Sequence, residues 1–395
     1  MRVLVVTAPF PWDVINGASL VLYHHLRILA KRHEISVLGA GANVRERTII
    51  GNDEGLPLGV TMRWFGTRIP LPIDYAIRRF RSSLSGEPAH VHWVERRGLV
   101  RAFEQELARK PDVVHLHGWG TAQLSRLANE VPCVHVPIDA WSLGTANRAL
   151  PRVRLALERS QARRILQHER RHYGRCAAVV VVAQGDMQQV RRLAPTARVE
   201  VIPNGVDPGP EPGPLTTEPV IGFHGSFQNQ ANRDAAVFLA REVFPIVLRA
   251  RPDARLRLIG RWPPSKILSL SNERIHVTGM VPDIRSELED VGIYVAPMVS
   301  GTGIKNKVLE AMAAGRPIVA TKRAVDGIDA ASEVLVADTA AAIARHVIEL
   351  LASDERRRAI GAAARARVVS TFSWQRSAEA IEALWMEFAG SGFRS

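Results

Sequence analysis

Short apolar runs alternate with longer amphipathic stretches along the whole chain, and few folds accept that pattern. In the first half the runs are Arg2–Val6, Ile35–Leu38, Val60–Phe65, Asp112–His117, Cys133–Ile138, Ala177–Ala183 and Val199–Ile202. In the second they are Val220–His224, Arg255–Ile259, Ile275–Thr278, Gly292–Ala296, Pro317–Thr321 and Val334–Val336. Several are apolar on both faces, as strands covered on both sides must be. Helical stretches such as Ser19–Lys31, Ala235–Arg249 and Lys305–Ala314 lie between them. Strand–helix alternation of this kind builds βαβ units around a parallel sheet.

The alternation breaks once. Residues 203–219, PNGVDPGPEPGPLTTEP, hold six prolines and three glycines without apolar periodicity, which predicts a linker or a long surface loop. Two doubly wound α/β domains follow, 1–203 and 220–372, joined by a Pro/Gly-rich linker at 204–219 and facing each other across a cleft. Ligands of such sheets bind beyond the carboxyl ends of the strands. With 395 residues, 46% hydrophobic and 23% charged, the chain is long and apolar enough for two cores, which excludes disorder. Cys133 and Cys176 sit in strand-like runs and read as buried core residues, with neither a disulfide framework nor a structural zinc site within their reach. The opening MRVLVVTAPFP does not read as a signal peptide, and no run approaches the roughly 20 residues of a membrane span. A cytoplasmic protein is expected, with peripheral contact at the inner membrane face as an option. The net charge of +13 favours anionic partners.

Two strand-to-helix connections carry candidate chemistry. The first, 7–19, is not the G-x-G-x-x-G dinucleotide fingerprint, but Gly17 and Ser19 precede a helix whose N-terminus favours an anion. The plain alternative is a loop with Ser19 as N-cap. The richer segment is 297–317, PMVSGTGIKNKVLEAMAAGRP. Its glycine-rich turn, Ser300–Gly303, precedes a helix from about Ile304 to Ala314, with Gly315 at the C-terminal capping position. Lys305 and Lys307, two of only six lysines in the chain, stand where the helix dipole disfavours cations, which points to an anion nearby. Lys307 and Glu310 share a helix face, so Glu310 reads either as a ribose-binding carboxylate or as half of a surface ion pair.

The segment GTGIKNKVLEAMAAGRPIVAT resembles the donor-binding signature of the retaining, nucleotide-sugar-dependent glycosyltransferases of family 4, which have the GT-B fold. The resemblance extends over nearly the whole chain, through MRVLVVTAPFP, PDVVHLHG, VEVIPNGVD, IGFHGSFQNQANRDAAVFLAREVFP, IHVTGMVPDIRSEL and FSWQRSAEAIEALW. Its variant is similar to a bacterial exopolysaccharide-type subgroup of sugar transferases. It implies a retaining transfer of a sugar from a nucleoside-diphosphate sugar to a glycan, lipid-linked or small-molecule acceptor, without a cofactor. It also implies that 373–395 forms a helix crossing back to the N-terminal domain. By the resemblance Glu310 binds the donor ribose, the backbone at Gly303 and Ile304 cradles the diphosphate, and Val281 lies at the base. Gly17 meets the donor phosphates, and Gly225 opens the C-terminal domain's first loop. His135 lies against the transferred sugar, with Asp139 and His117 toward the acceptor.

Three departures stand out. The first glutamate of the family's pair is Thr302 here. The Arg and Lys of its phosphate clamp fall near Ser226 and Asn232, neither of them basic, so Lys305, Lys307, Arg233 or Arg261 would have to serve. His135 and Asp139 compete for one role. No Asp-x-Asp triplet occurs, so no carboxylate pair is set out for a divalent metal, and a departing diphosphate would rely on basic groups and helix N–H donors. Among the other histidines, His24 and His25 read as a solvated or packed pair. His115 and His117 share one strand face, and a metal there is disfavoured. His224 ends a strand next to Gly225.

Residues 148–175 carry nine arginines against two glutamates, which fits either a solvated helix or one lying on an anionic membrane. Without interleaved aromatics it does not fit nucleic acid. A GT-B nucleotide-sugar epimerase and a non-catalytic nucleotide-sugar-binding subunit are the competing functional readings.

Overall fold

The computed structural model describes residues 1–8, 17–41, 47–50, 57, 59–66, 71–128, 130–145, 152–301, 303–328 and 333–390. The chain divides into two compact units: Met1–Pro203 with Gln375–Ser395, and Asn204–Trp374.

The first unit is built on an eight-stranded sheet in the order β3-β4-β2-β1-β5-β6-β7-β8. The strands are β1 (Arg2–Thr7), β2 (Glu34–Ala40), β3 (Arg47–Ile50), β4 (Val60–Phe65), β5 (Val113–His117), β6 (Cys133–Ile138), β7 (Ala178–Val181) and β8 (Val199–Val201). Every pairing is parallel except that of edge strand β3 with β4. β5, β6 and β7 are buried at every residue, which is why their sequences do not alternate. Its helices include α1 (Gly17–Leu29), α2 (Leu71–Ser85) and α3 (Arg152–His172). α1 starts at Gly17, so Ser19 lies inside the helix and is not its N-cap.

The second unit has a six-stranded parallel sheet in the order β11-β10-β9-β12-β13-β14. Its strands are β9 (Val220–His224), β10 (Arg255–Ile259), β11 (Ile275–Gly279), β12 (Ile293–Ala296), β13 (Ile318–Ala320) and β14 (Leu335–Val336). Three of its helices matter here: α4 (Gln230–Phe238), α5 (Asn306–Ala313) and α6 (Asp354–Thr371). In both sheets the strand order reverses direction near the first strand, which is the doubly wound arrangement that sets ligand sites at strand ends.

The Pro/Gly-rich segment does not behave as a free linker. Arg365 of α6 donates to the carbonyls of Pro208 and Pro210 at 3.0 and 3.1 Å and pairs with Glu211 at 3.0 Å. Arg285 donates to Asp207 O at 3.0 Å. The segment is therefore a strap on the second unit: lacking its own ladder, it has its carbonyls satisfied by guanidinium groups.

The last helix, α7 (Trp374–Gly390), supplies side chains to the first unit's core. Ser377 bonds His25 at 2.9 Å, Glu382 bonds His33 at 2.6 Å, and Trp385 packs edge-on against His115 with ring centroids 5.5 Å apart. His115 and His117 stack at 5.6 Å, and His117 Nε2 lies 2.9 Å from Ala18 O. Burial drives the imidazoles toward the neutral form. His25 and His135 fall to about 3, His117 to about 4, and His115 well below its ordinary value.

These buried imidazoles set a pH dependence. The unfolded chain takes up the four protons near pH 6.5, whereas the folded unit refuses them until far lower. Glu169, pushed up to about 7 by burial, offsets one proton. The excess of protons on the unfolded state grows from about one at pH 6.5 to about three by pH 5.5, so stability falls as pH drops, with a slope that steepens to about 4 kcal/mol per pH unit. Urea unfolding followed at pH 7.5, 6.5 and 5.5 checks this, and an unchanged midpoint would refute it.

Candidate functional site

In the second unit the chemistry gathers where β9 and β12 end. β12 runs into the glycine turn, in which Gly301 and Gly303 adopt φ of 106° and 66°, and the turn delivers the chain to α5. Gly315 closes α5 with φ 65° and an N–H bond to Met312 O of 2.9 Å. From α5, Glu310 reaches His224 at the end of β9, with Oε2 2.7 Å from Nε2. Lys307, one turn earlier, donates to Asn232 Oδ1 of α4, and its ammonium lies 4.6 Å from the Phe223 ring centroid. Asn232 in turn donates to Ser226 O at 2.8 Å.

Gly225 leaves the room these groups occupy. A Cβ there would sit 2.7 Å from Lys307 Nζ and 2.8 Å from Asn232 Nδ2. Gly260, at the end of β10, has φ 152°, and a Cβ on it would meet Gly225 O at 2.0 Å. The two strand ends therefore touch backbone to backbone. Burial lowers Lys307 to about 7, with Lys305 adding to the shift and Glu310 opposing it. Burial alone would raise Glu310, but the hydrogen bond and charge of His224, with Lys307, outweigh it and hold the carboxyl below its usual range. The result is a linked His–carboxylate–ammonium–amide set whose lysine titrates near neutrality.

Lys305 is buried and turns back to donate to Gly303 O at 2.6 Å, bracing the turn. Arg233 donates to Phe227 O and Gln228 O, both at 2.6 Å, and so is engaged by its own loop. The Arg261 guanidinium lies 4.7 Å from the Trp262 ring centroid. Val281 is half-buried just beyond β11, and Ile304 is buried behind the turn. Thr302 lies outside the described residues. Asn204 and Asn306, bonded at 2.8 Å, were not singled out from the sequence, although Asn204 stands in the PNG run that ends the first unit.

The first unit has its own strand-end cluster, beyond β5 and β6. Asp139 accepts from Trp119 Nε1 at 2.9 Å, and Trp119 stacks on Trp141 with rings 3° from parallel. Ile138 takes φ 78°, a costly conformation for a β-branched residue and one that aims the next residue off the sheet. His135 and His117, expected beside the sugar and the acceptor, are enclosed. His135 Nδ1 lies 3.0 Å from Leu116 O, and its ring packs on Tyr173 with centroids 4.9 Å apart. His117 is taken up by Ala18 and His115. Alternation along fully buried strands points these rings into packing, and of the three only Asp139 reaches partial exposure. Gly17 is exposed at the start of α1, with open space where a Cβ would stand.

Two Rossmann-like units with parallel sheets, the second carrying this set at its strand ends, define a glycosyltransferase of the GT-B type. The family model described as Glycosyltransferase Family 4 matches residues 15–209, and that described as Glycosyl transferases group 1 matches 218–353. The chain belongs to the family 4 glycosyltransferases. It is 27% identical, over 97% of its length and 96% of the relative's, to a phosphatidyl-myo-inositol mannosyltransferase of Mycobacterium leprae. Among solved structures it resembles sucrose-phosphate synthase from Thermosynechococcus elongatus, with a TM-score of 0.73, 16% identity, and 99% and 100% of the two chains covered. It also resembles Anabaena HepE in complex with UDP and glucose, with a TM-score of 0.67, 14% identity and 97% and 98% coverage.

The backbone contact at the strand ends yields a stability contrast. Gly260→Ala should cost at least about 2 kcal/mol, because backbone and not a flexible side chain stands in the way. Gly213→Ala, with nothing within 4 Å, should lie within about 0.5 kcal/mol of the parent. Chemical denaturation of the two variants measures both, and equal stabilities would contradict the close approach.

Proposed function

We propose that the chain transfers a sugar from a nucleoside-diphosphate sugar to an acceptor hydroxyl with retention of configuration. The observation that carries this is the Lys307 ammonium resting on Asn232 beside Gly225, at the strand end where a basic clamp was expected and where no Arg or Lys stands in sequence. In this reading Lys307 takes the clamp's place on the diphosphate, with the N–H groups at the start of α5 completing the cradle. Glu310, oriented by His224, accepts hydrogen bonds from the ribose. The UDP named in the structure of HepE supports a nucleoside-diphosphate donor.

The bond from the sugar to the diphosphate oxygen breaks, and the acceptor oxygen bonds the same carbon from the same face. The departing phosphate oxygen takes the acceptor's proton, so neither a protein nucleophile nor a metal is assigned. Asp139 is the first-unit residue proposed to hold the acceptor. The name of the 27% identical mannosyltransferase favours a lipid-linked acceptor among the three classes considered.

Calorimetric titration with nucleoside diphosphates tests the reading. Glu310→Ala should lower affinity for nucleoside and nucleoside diphosphate alike, by about tenfold for one lost charge-assisted bond. Lys307→Met should weaken the diphosphate selectively, and equal losses would remove the phosphate role. Because the diphosphate needs the protonated ammonium, affinity should fall as pH rises above about 7. That slope should vanish in Lys307→Met. If no nucleoside diphosphate binds the parent protein, the donor assignment fails as a whole.

A further inference from the structure

The arginine-rich helix α3 carries the run His168-Glu169-Arg170-Arg171-His172 near its end. Two histidines four apart share one helix face, the spacing with which an H-E-x-x-H helix holds a metal ion. The pair alone is a weak signal. The fold brings a third group to it from 81 residues earlier, Glu87 in the loop after α2. His168 Nδ1 lies 2.8 Å from Glu87 Oε2, and His172 Nε2 lies 3.3 Å from Oε1. The two rings stand with centroids 4.7 Å apart. Among the described residues, no other three His, Cys, Asp or Glu side chains bring their ligand atoms within 4.8 Å of one another.

The backbone around this triad is anchored by other bonds. α2 turns a polar face inward, where Asp74 pairs with Arg78 at 2.9 Å and with Arg96 at 3.2 Å. Its last turn and the loop beyond are tied to α3 by groups outside the triad. Gln161 and Arg164 each donate to Ser82 Oγ at 3.1 Å, and Gln161 Oε1 accepts from Ala89 N at 3.2 Å. The fold itself thus holds the carboxylate against the two rings. Both histidines are buried, and the Glu87 side chain, 16% exposed, is the corner that water reaches.

Two imidazole nitrogens and a carboxylate suit a borderline divalent ion, zinc above all. With bonds of roughly 2.1 Å, two ligand atoms of a tetrahedral zinc stand about 3.4 Å apart. The separation of His172 from Glu87 already matches, and that of His168 has to open by only about 0.6 Å. The second carboxylate oxygen or a water at the open corner completes the four ligands. Each neutral ring keeps its proton by moving it to its other nitrogen. Those atoms, His168 Nε2 and His172 Nδ1, are buried without a partner, so no bond is lost there. Arg171, 3.3 Å from Glu87 Oε1, competes for the carboxylate, but its side chain is 54% exposed and can turn to solvent. In hydrolases with an H-E-x-x-H helix the glutamate is the general base. Here Glu169 is fully buried and its Oε1 accepts from Ser142 N at 3.3 Å, which leaves the site a structural role.

We propose that Glu87, His168 and His172 bind a zinc ion that clamps the loop after α2 to α3. The clamp lies behind Trp141, whose ring meets His168 edge-on with centroids 6.1 Å apart and stacks on Trp119 beside Asp139. The ion takes no part in the sugar transfer, and the proposal does not depend on the donor chemistry.

The experiment is titration of the full chain, untagged and stripped with chelator, with zinc by calorimetry and with cobalt by visible absorption. The parent should take up one ion per chain, give the intense d–d absorption of four-coordinate cobalt, and melt at a higher temperature with zinc than without. Removing an outer partner of a metal site costs 10–100-fold, so loss of a ligand in Glu87→Gln or His172→Asn should cost at least about a hundredfold in affinity. Arg171→Ala should tighten binding by about tenfold, because a like charge leaves the site. His346→Gln, which removes the i,i+3 histidine–glutamate pair on a distant helix, should bind as the parent does. If Glu87→Gln fails to fold, His172→Asn serves in its place, and the cobalt titration of the parent needs no variant. A parent that binds no ion, a cobalt spectrum of the weak octahedral type, or an affinity lost in His346→Gln but kept in His172→Asn would each overturn the proposal, the last by placing the ion on the surface.

Discussion

Two buried guanidinium groups hold the C-terminal end of α5, and the position of the helix follows from them. Arg316, 1% exposed, donates to Ala314 O at 2.8 Å and reaches Glu289 O and Val291 O at 3.1 and 3.3 Å. Arg365 donates to Ala313 O and also grips the strap at Pro208 and Pro210. A cation at a helix C-terminus is favoured by the dipole, and the last carbonyls need donors in any case. Arginine, with five donors in a planar fork, satisfies several carbonyls that lysine would leave bare. With its far end fixed in this way, α5 presents Lys307 and Glu310 at a defined height against β9, and the hydrogen bonds to Asn232 and His224 become geometrically available.

Most of the sheet architecture could be read from the residues because parallel strands buried on both faces have no other pattern. Val60–Phe65, Cys133–Ile138, Val220–His224 and Arg255–Ile259 are strands at the bounds the apolar runs predict. β3 was missed: as a four-residue edge strand with three exposed positions it has no apolar run to announce it. The stretch Ala235–Arg249 is not one uniform α-helix. Five residues, Leu239–Val243, form a π turn ahead of Pro245, whose ring cannot donate to the preceding turn. The strap read as a linker because prolines and glycines signal the lack of a ladder, while the distant arginines that hold it lie more than 75 residues away.

The donor-side set was legible where spacing carries information. Lys307 and Glu310 lie three apart on one helix, after a glycine turn that follows a strand. Their partners His224 and Asn232 are distant in sequence, so bonding between them could not be read from spacing. The histidines of the first unit were harder. A strand reveals which residues share a face but not whether that face meets solvent or a helix, and α7 arrives from the far end of the chain to cover His115. The same ambiguity hid the orientation of α2: an amphipathic pattern gives two faces, and only the ion pairs of Asp74 decide which is turned inward.

The chain leaves the first unit at Pro203 and returns to it at Gln375, and the two crossings run side by side, with Val206 N bonded to Phe372 O at 2.9 Å. The second unit is thus an insertion of 171 residues, Asn204–Trp374, whose two ends already meet. During synthesis the ribosome completes every strand of the first sheet, then the entire inserted unit, before α7 emerges. Until then His25, His33 and His115 face water in place of Ser377, Glu382 and Trp385. The domain made first is therefore the one finished last, and a premature stop near the end of the message damages the beginning of the protein.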